Sequence, residues 1–366
     1  MYITDWEQHS FQNTLIIHSG KDYKHLNKGN IPVYGTGGYM LSVDEKLSKV
    51  DGIGLGRKGT IDKPQYLKAP FWTVDTLFYM TPKSNFEILF LYAIVQKFNW
   101  KKLNEASGVP SLSKKTIEKV MQFYPTQLEQ KKLGYLLKII AETIALQQQQ
   151  LNLYIKLKKG LLQKLFPKNG EMVPEIRFAD FTGDWEQRKS GEIFSSTSKK
   201  GYPELPVLSV TQDHGVVKRE NLNIDIKYDK TTLKNYKLVS NGDFIISLRS
   251  FQGGFELSRT RGIVSPAYTV FEFKNPREHN HEFWKNWFKT FKFIQSLKTI
   301  TFGIRDGKSI SFSEFKSLRN TFPADVKEQE QIGNLLEKID SVINLQHEQL
   351  NKLESLKKYL LQKLFI

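Results

Sequence analysis

The sequence contains no cysteine. That excludes disulfides, thiolate metal sites and a cysteine nucleophile, and it fits a reducing, cytoplasmic location. Histidine is sparse, with seven scattered residues and neither an HExxH motif nor a close helical pair, so a histidine-built metal centre is not expected. Long apolar runs are missing as well. The longest, Ile88 to Val95, falls far short of a membrane span, and the opening MYITDWEQHS has no secretory character. Acidic residues are the minority charge: 38 Asp and Glu against 54 Lys and Arg give a net +16 and a pI near 9.5. Such a chain favours a polyanionic partner, nucleic acid ahead of an anionic membrane surface. Its 366 residues leave room for two or three domains.

Catalytic signatures are also lacking. Gly54-Leu55-Gly56-Arg57-Lys58-Gly59 matches GxGxxG, but Pro64 follows where a dinucleotide site needs the first turns of a helix. A turn presenting Arg57 and Lys58 is the better reading. Gly303 to Ser309 resembles a phosphate loop whose first glycine is one residue too close. Asp306 with Glu314-Phe315-Lys316 mimics a nuclease metal site but has no counterpart in the first half. Neither an amino-methyltransferase tetrapeptide nor GxSxG occurs.

What the chain does have is a repeat. Asp5-Trp6-Glu7-Gln8 recurs as Asp184-Trp185-Glu186-Gln187, and residues 129–166 laid over 328–365 give about 21 identities in 38 positions without a gap. Upstream, 111–120 pairs with 309–318, and Pro125 with Pro323. The repeated segments contain no proline, and apolar residues follow a four–three spacing. In the first copy the seam is Leu133, Leu137, Ile140, Ile144, Gln147, Leu151, Tyr154, Lys158, Leu161 and Leu165. In the second it is Ile332, Leu336, Ile339, Ile343, Gln346, Leu350, Leu353, Lys357, Leu360 and Leu364. This is a coiled-coil pattern. The matched polar interruptions, Gln147 with Gln346 and Lys158 with Lys357, are candidates for fixing register; shared ancestry alone is the competing account. A 38-residue helix is about 57 Å long and needs a partner for its stripe. The other copy is the simplest partner, and pseudo-two-fold symmetry makes the pair antiparallel.

The expected architecture is therefore α+β: two mixed α/β blocks separated by two long helices paired as an antiparallel coiled coil. Residues 1–122 form the first block, 123–166 the first helix, 167–182 a connector, 183–320 the second block and 321–366 the second helix. Each block is expected to carry one amphipathic helix, Phe86 to Phe98 and Glu282 to Phe293. In the latter, Trp284, Trp287, Phe288 and Phe291 share one helical face, which reads as core; a stacking platform for unpaired bases is the competing reading.

Basic side chains on glycine-rich loops remain as the functional candidates. In the first block these are Thr36, Gly37, Arg57 and Lys58; in the second, Arg249, Gln252, Arg259 and Arg261. Arg and Gln pair bidentately with guanine and adenine edges, and glycine lets a loop approach closely. Lys199 and Lys200 read as phosphate contacts.

The whole pattern resembles the specificity subunit of type I restriction-modification enzymes. The residues that carry the resemblance are VPEIRFADFTGDWEQRK at 173–189 and the helix starts with Pro125, Glu129-Gln130 and Leu133-Gly134, repeated at Pro323, Glu328-Gln329 and Ile332-Gly333. The helix ends KKGLLQKLF and KKYLLQKLF, with IPVYGTGG and GLGRKGTI, complete the set. The first block departs from the pattern in having no PEIRF-like stretch before Thr4-Asp5-Trp6, which implies a short or differently packed start. The resemblance implies two target-recognition domains, each reading one half of a bipartite site in double-stranded DNA. The paired helices would set the spacer and dock modification subunits, two of them, with restriction subunits joining. It also implies a non-catalytic chain without its own metal or cofactor, S-adenosylmethionine, ATP and magnesium belonging to the partner subunits, and no membrane. A basic coiled-coil scaffold or RNA-binding adaptor is the alternative.

Overall fold

The computed structural model describes residues 6–211, 215–222, 230–247, 254–300 and 310–365. It divides into two compact units. Unit 1 comprises residues 1–150 with 347–366, and unit 2 comprises 151–346.

In unit 1, β1 (Glu7–Ser10) runs into a single turn, α1 (Phe11–Thr14), and then β2 (Leu15–Ser19). There follow β3 (Lys28–Gly35), β4 (Gly38–Val43), β5 (Gly52–Gly56), β6 (Gln65–Leu67), β7 (Trp72–Thr73) and β8 (Leu77–Pro82). The helix α2 (Ile88–Lys97), the short α3 (Lys114–Glu118), β9 (Met121–Tyr124) and the long α4 (Gln127–Lys164) complete the run. One sheet has the order β2-β8-β5-β6, a second β4-β3-β7, and β1 pairs antiparallel with β9. Its core joins Phe11, Ile53, Leu55, Met80, Phe90, Ile94 and Trp100.

Unit 2 rebuilds this plan with little shared sequence. It contains β10 (Glu186–Lys189), α5 (Ser190–Ile193), β11 (Phe194–Thr197), β12 (Leu208–Thr211), β13 (Gly215–Lys218), β14 (Lys237–Val239), β15 (Phe244–Ile246), β16 (Phe255–Leu257), β17 (Gly262–Val264) and β18 (Thr269–Phe273). Then come α6 (His281–Trp287), α7 (Phe291–Ile300), α8 (Phe312–Phe315), β19 (Arg319–Phe322) and α9 (Val326–Lys363). The sheet β11-β18-β15-β16 repeats the order of its counterpart, and β10–β19 repeats β1–β9. Two sequences with different side chains reach one topology because both keep apolar residues at the inward positions of the same strands.

The long helices run antiparallel, as the contacts inside each unit show. In unit 1, Leu133 and Leu137 near the start of α4 share a core with Leu360, Leu361, Leu364 and Phe365 at the end of α9. In unit 2, Leu161, Leu165 and Phe166 at the end of α4 share a core with Ile332 and Leu336 near the start of α9. The repeated EQ pair has a structural task in both. Gln130 donates to the Pro125 carbonyl at 2.9 Å and accepts from the Glu87 amide at 3.1 Å, capping the entry to α2. Gln329 does the same to Pro323 and Asn280, both at 2.9 Å. Gly134 and Gly333 lie so close to the next helix that an added Cβ would stand 2.7 Å from the Phe90 amide nitrogen and 2.8 Å from that of Phe283.

One expectation changes. The single helix over Glu282 to Phe293 is two, α6 and α7. Thr290 sits at the break, its hydroxyl donating to the Trp287 carbonyl at 2.7 Å and accepting from the Phe293 amide at 3.2 Å. Phe283, Trp284, Trp287, Phe288 and Phe293 are buried, as a core stripe requires, but the break turns Phe291 outward, 69% exposed. The Pro- and Gly-containing stretch after α4 is tied down by hydrogen bonds. Ile176 donates its amide to the Lys164 carbonyl at 2.9 Å, and Arg177 clamps Glu328 through two bonds of 2.7 and 2.8 Å. Trp185 Nε1 reaches the same buried carboxylate at 3.1 Å.

Candidate nucleic-acid interface

In unit 1 the sequence candidates come together. β3 and β4 form a hairpin closed by Thr36 and Gly37, with Gly35 opposite Gly38. Gly38 has φ +113°, a conformation that glycine adopts without strain. Gln65 on β6 braces the turn, donating to the Gly35 and Thr36 carbonyls at 2.8 and 3.3 Å. The loop after β5 is pinned by backbone bonds: the Arg57 amide to Thr76 O at 2.8 Å and the Gly59 amide to Pro110 O at 2.8 Å. Gly54 and Gly56 are therefore strand residues, and no helix follows them. An ideal Cβ on Gly59 would lie 3.8 Å from Thr36 Oγ1, so the two loops adjoin. Arg57 and Lys58 are exposed there; Arg57 lies over the Phe78 ring at 5.8 Å.

In unit 1, sequence reasoning missed three residues. Gln65 is one; its signal, a lone amide in a short strand, is too weak to find. Tyr39 and Met40 are the others, 63% and 49% exposed. Successive strand residues point to opposite faces, so a strand with both exposed stands clear of the body on each side. Two large apolar residues directly after a Gly-Gly turn were the available signal.

In unit 2 the candidates divide. Lys199 and Lys200 are exposed just past β11, and Arg261 lies over Tyr202 at 6.0 Å. Lys237, not singled out in the sequence, joins this basic face. Its ammonium donates to the Tyr268 carbonyl at 2.6 Å, and burial, reinforced by Lys200, lowers its pKa. Arg219 donates to Ser209 Oγ at 3.1 Å. Arg259 has other work: it bonds Glu282 at 2.6 Å and Glu337 at 2.7 Å, so both carboxylates hold it against α6 and α9. Both bonds engage Nη2 alone, and the side chain stays 55% exposed. Arg249 and Gln252 lie outside the described residues, as do Asp306 and the phosphate-loop-like segment. Glu314 instead closes a capping box with Ser311 at the start of α8.

The polar seam positions also differ in their partners. Lys158 pairs with Asp340, whereas Lys357 has no ion pair among the described residues. Gln147 Oε1 and Gln346 Oε1 are each buried without a hydrogen-bond partner among those residues. No group of three or more His, Asp or Glu residues is placed to hold a metal among them, and no described helix is long and apolar enough to cross a membrane.

The family model for the type I restriction modification DNA specificity domain matches residues 12–157 and 182–355, one match on each half of the repeat. The chain belongs to that family. Its fold is similar to the S subunit of a type I restriction-modification system from M. genitalium, at TM-score 0.71 and 13% identity over 100% of this chain and 98% of that one. It is similar as well to a chain from a study of complex assembly and conformational transition in the type I R-M system, at TM-score 0.50 and 12% identity, covering 98% and 97%. At such identities the likeness speaks for the fold, and it spans both specificity domains.

Proposed function

We propose that the chain is the specificity subunit of a type I restriction-modification complex, a non-catalytic DNA-reading component. The observation that carries this reading is the duplication itself. Two specificity domains share one topology while their exposed loops differ, so one scaffold presents two different reading surfaces. In unit 1 the surface is Thr36, Gly37, Arg57 and Lys58, with Tyr39 and Met40 beside them. In unit 2 it is Lys199, Lys200, Arg261 and Lys237, with Arg249 and Gln252 as further candidates. Arginine and glutamine supply base-edge bonds and lysine supplies phosphate contacts. The antiparallel helices would set the distance between the half-sites, with Gln147, Lys158, Gln346 and Lys357 fixing their register. Modification subunits, two per chain, and restriction subunits would join this chain; the similarity to a chain studied in type I complex assembly supports that role. Those partners would bring S-adenosylmethionine, ATP and magnesium.

Methylome sequencing of cells with and without the chain tests this directly. A bipartite methylated motif should appear only with it, and an unchanged methylome overturns the reading. Two finer measurements follow. DNA affinity should fall steeply with salt, with a log–log slope of about −0.9 for each phosphate contact, and a flat response between about 50 and 200 mM salt removes the electrostatic argument. One heptad inserted into both α4 and α9 should change the preferred spacer and leave the half-site sequences alone. An unchanged spacer preference on a random-spacer library rejects the helices as a ruler.

A further inference from the structure

The β3–β4 ribbon of unit 1 departs from regular pairing at one residue. Val33 pairs with Leu41 and Tyr34 with Tyr39, so Met40 is an extra residue on β4, a β-bulge. A bulge bends its strand and re-aims a side chain. Here it leaves two large side chains, Tyr39 and Met40, facing water together on an edge strand. Both have fixed neighbours. Tyr39 meets Tyr34 edge-on at 6.4 Å, and its hydroxyl lies 3.2 Å from Ser42 Oγ. Met40 lies over Gly35, where an added Cβ would stand 2.8 Å from its sulfur.

A cleft of about 790 Å³ opens along this edge, and its lining includes Tyr23, Lys24, Asn27, Lys28, Tyr39 and Met40. Its size is that of a ligand pocket. The charge it offers is positive. Lys24 and Lys28 are exposed and form no ion pair among the described residues. The neighbouring carboxylates are committed: Asp44 accepts from the Asn27 amide and side-chain nitrogen, both at 3.0 Å, and Asp22 accepts from the Lys24 amide at 3.3 Å. The same ribbon ends in the Thr36-Gly37 turn of the candidate DNA surface. In unit 2 the ribbon β12–β13 holds the same place, with Val207 beside Ile263 in parallel as Val33 is beside Trp72. Its four pairs run without a shift, and none of its described apolar residues is exposed.

We propose that this cleft accepts one nucleobase turned out of the bound duplex, its ring against Tyr39 and Met40 and its flanking phosphates on Lys24 and Lys28. The inference rests on the reading above and adds to it a local unstacking at the half-site that unit 1 reads. The chemistry selects the occupant. Every base has a π-face that an aromatic side chain can stack on, and lysines beside it suit the backbone that carries the base. The glycine turn at the end of the ribbon brings the duplex within reach of the cleft. Contact with a thymine methyl in an undistorted groove would use Met40 but neither the cleft nor its lysines. Because the bulge and the exposed pair occur in unit 1 alone among the described residues, unstacking is expected in one half-site and not in both.

The test uses the full chain assembled with its modification subunit, on duplexes that carry the methylated motif. Single mismatches are placed in turn at each position of both half-sites except the methylated base. A mismatched base costs less to turn out, so a protein that turns it out binds the mismatched duplex more tightly. The native complex should prefer one such duplex over the matched one by at least about tenfold, in one half-site. Tyr39→Ala with Met40→Ala should bring that ratio to about one, and Tyr39→Phe, which keeps the ring, should retain it. Both side chains are exposed, so thermal unfolding of the variants should match the native chain. A ratio left unchanged by the double variant overturns the proposal. So does a thymine-to-uracil replacement that weakens native binding where no mismatch is preferred, which would make Met40 a methyl contact. If the native complex binds the motif no better than an unrelated duplex, the specificity-subunit reading itself fails. If it binds the motif selectively and no mismatch tightens binding, only this inference fails.

Discussion

The junction where the domain helix meets the long helices is built twice from different chemistry. In unit 2 it is ionic. Asp340 bonds Lys158 and Lys285, Arg259 bridges Glu282 and Glu337, and Lys289 pairs with Glu256. In unit 1 the 199-residue offset puts Ala141 opposite Asp340 and Lys138 opposite Glu337, and the matched glycine contacts put Leu89, Tyr92 and Gln96 where unit 2 has Glu282, Lys285 and Lys289. The result there is a cleft of about 420 Å³ walled by Tyr66, Tyr92, Ala93 and Ala141. The apolar seam is common to both, so the seam dictates how the helices meet. The side chains around it decide only how tightly the junction is locked and how it responds to pH and salt.

The sharpest way to break the comparison is at Glu328. This carboxylate is 1% exposed and held by Arg177 and Trp185, whereas its repeat counterpart Glu129 is only partly buried. Arg177→Ala leaves a buried charge without its cation and should cost about 3–5 kcal/mol. Hydrogen exchange should locate the loss in unit 2, while unit 1 amides keep their protection; equal loss in both would show that the clamp is not local.

Next is His279, whose place in unit 1 is taken by Phe86. It packs against Phe273, Trp284 and Phe322. Burial, with Arg188 and His281 nearby, lowers its pKa from 6.5 to about 4. The unfolded chain thus binds a proton that the folded one refuses between those values. Its stabilising contribution is complete above about pH 6.5 and is lost as pH falls toward 4, with a slope of up to about 1.4 kcal/mol per pH unit. Urea unfolding across that range should show the slope in the native chain and a shallower one in His279→Phe. Identical slopes would remove His279 as the source.

Asp340→Ala converts the unit 2 junction to the unit 1 pattern. Lys158 and Lys285, each largely buried, lose a shared carboxylate, at about 1–3 kcal/mol. A urea midpoint unchanged from native would show the network adds nothing. The smallest effect is expected from the reverse change. Ala141→Asp places a carboxylate where the offset predicts Lys357, and a gain below about 1 kcal/mol is expected because that lysine is partly solvated. The gain should vanish at high salt; a gain that persists would point to packing instead.

Much of this architecture was legible beforehand, and the reasons differ by element. The long helices announced themselves because a four–three stripe over 38 residues admits no other partnerless state. Their antiparallel sense followed from the repeat. The EQ pair was visible as a motif, but its task, tying a proline carbonyl to the next helix, was not. Of the aromatic stripe assigned to the core, Trp284, Trp287 and Phe288 are buried but Phe291 is exposed, because the break at Thr290 was missed: a threonine that caps is indistinguishable in sequence from one that does not. Arg259 looked like its neighbour Arg261. One bonds two carboxylates 23 and 78 residues away along the chain, and the other lies over a tyrosine.

By itself, then, the sequence determined the duplication, the helical seam, the basic character and the family, because each is a matter of period, composition or motif, properties that survive without coordinates. The tertiary structure decided which cations are free, which residues stand clear of the body and which clefts remain open. Those depend on what distant segments bring to one place, and a carboxylate arriving from another helix leaves no mark beside the arginine it neutralises.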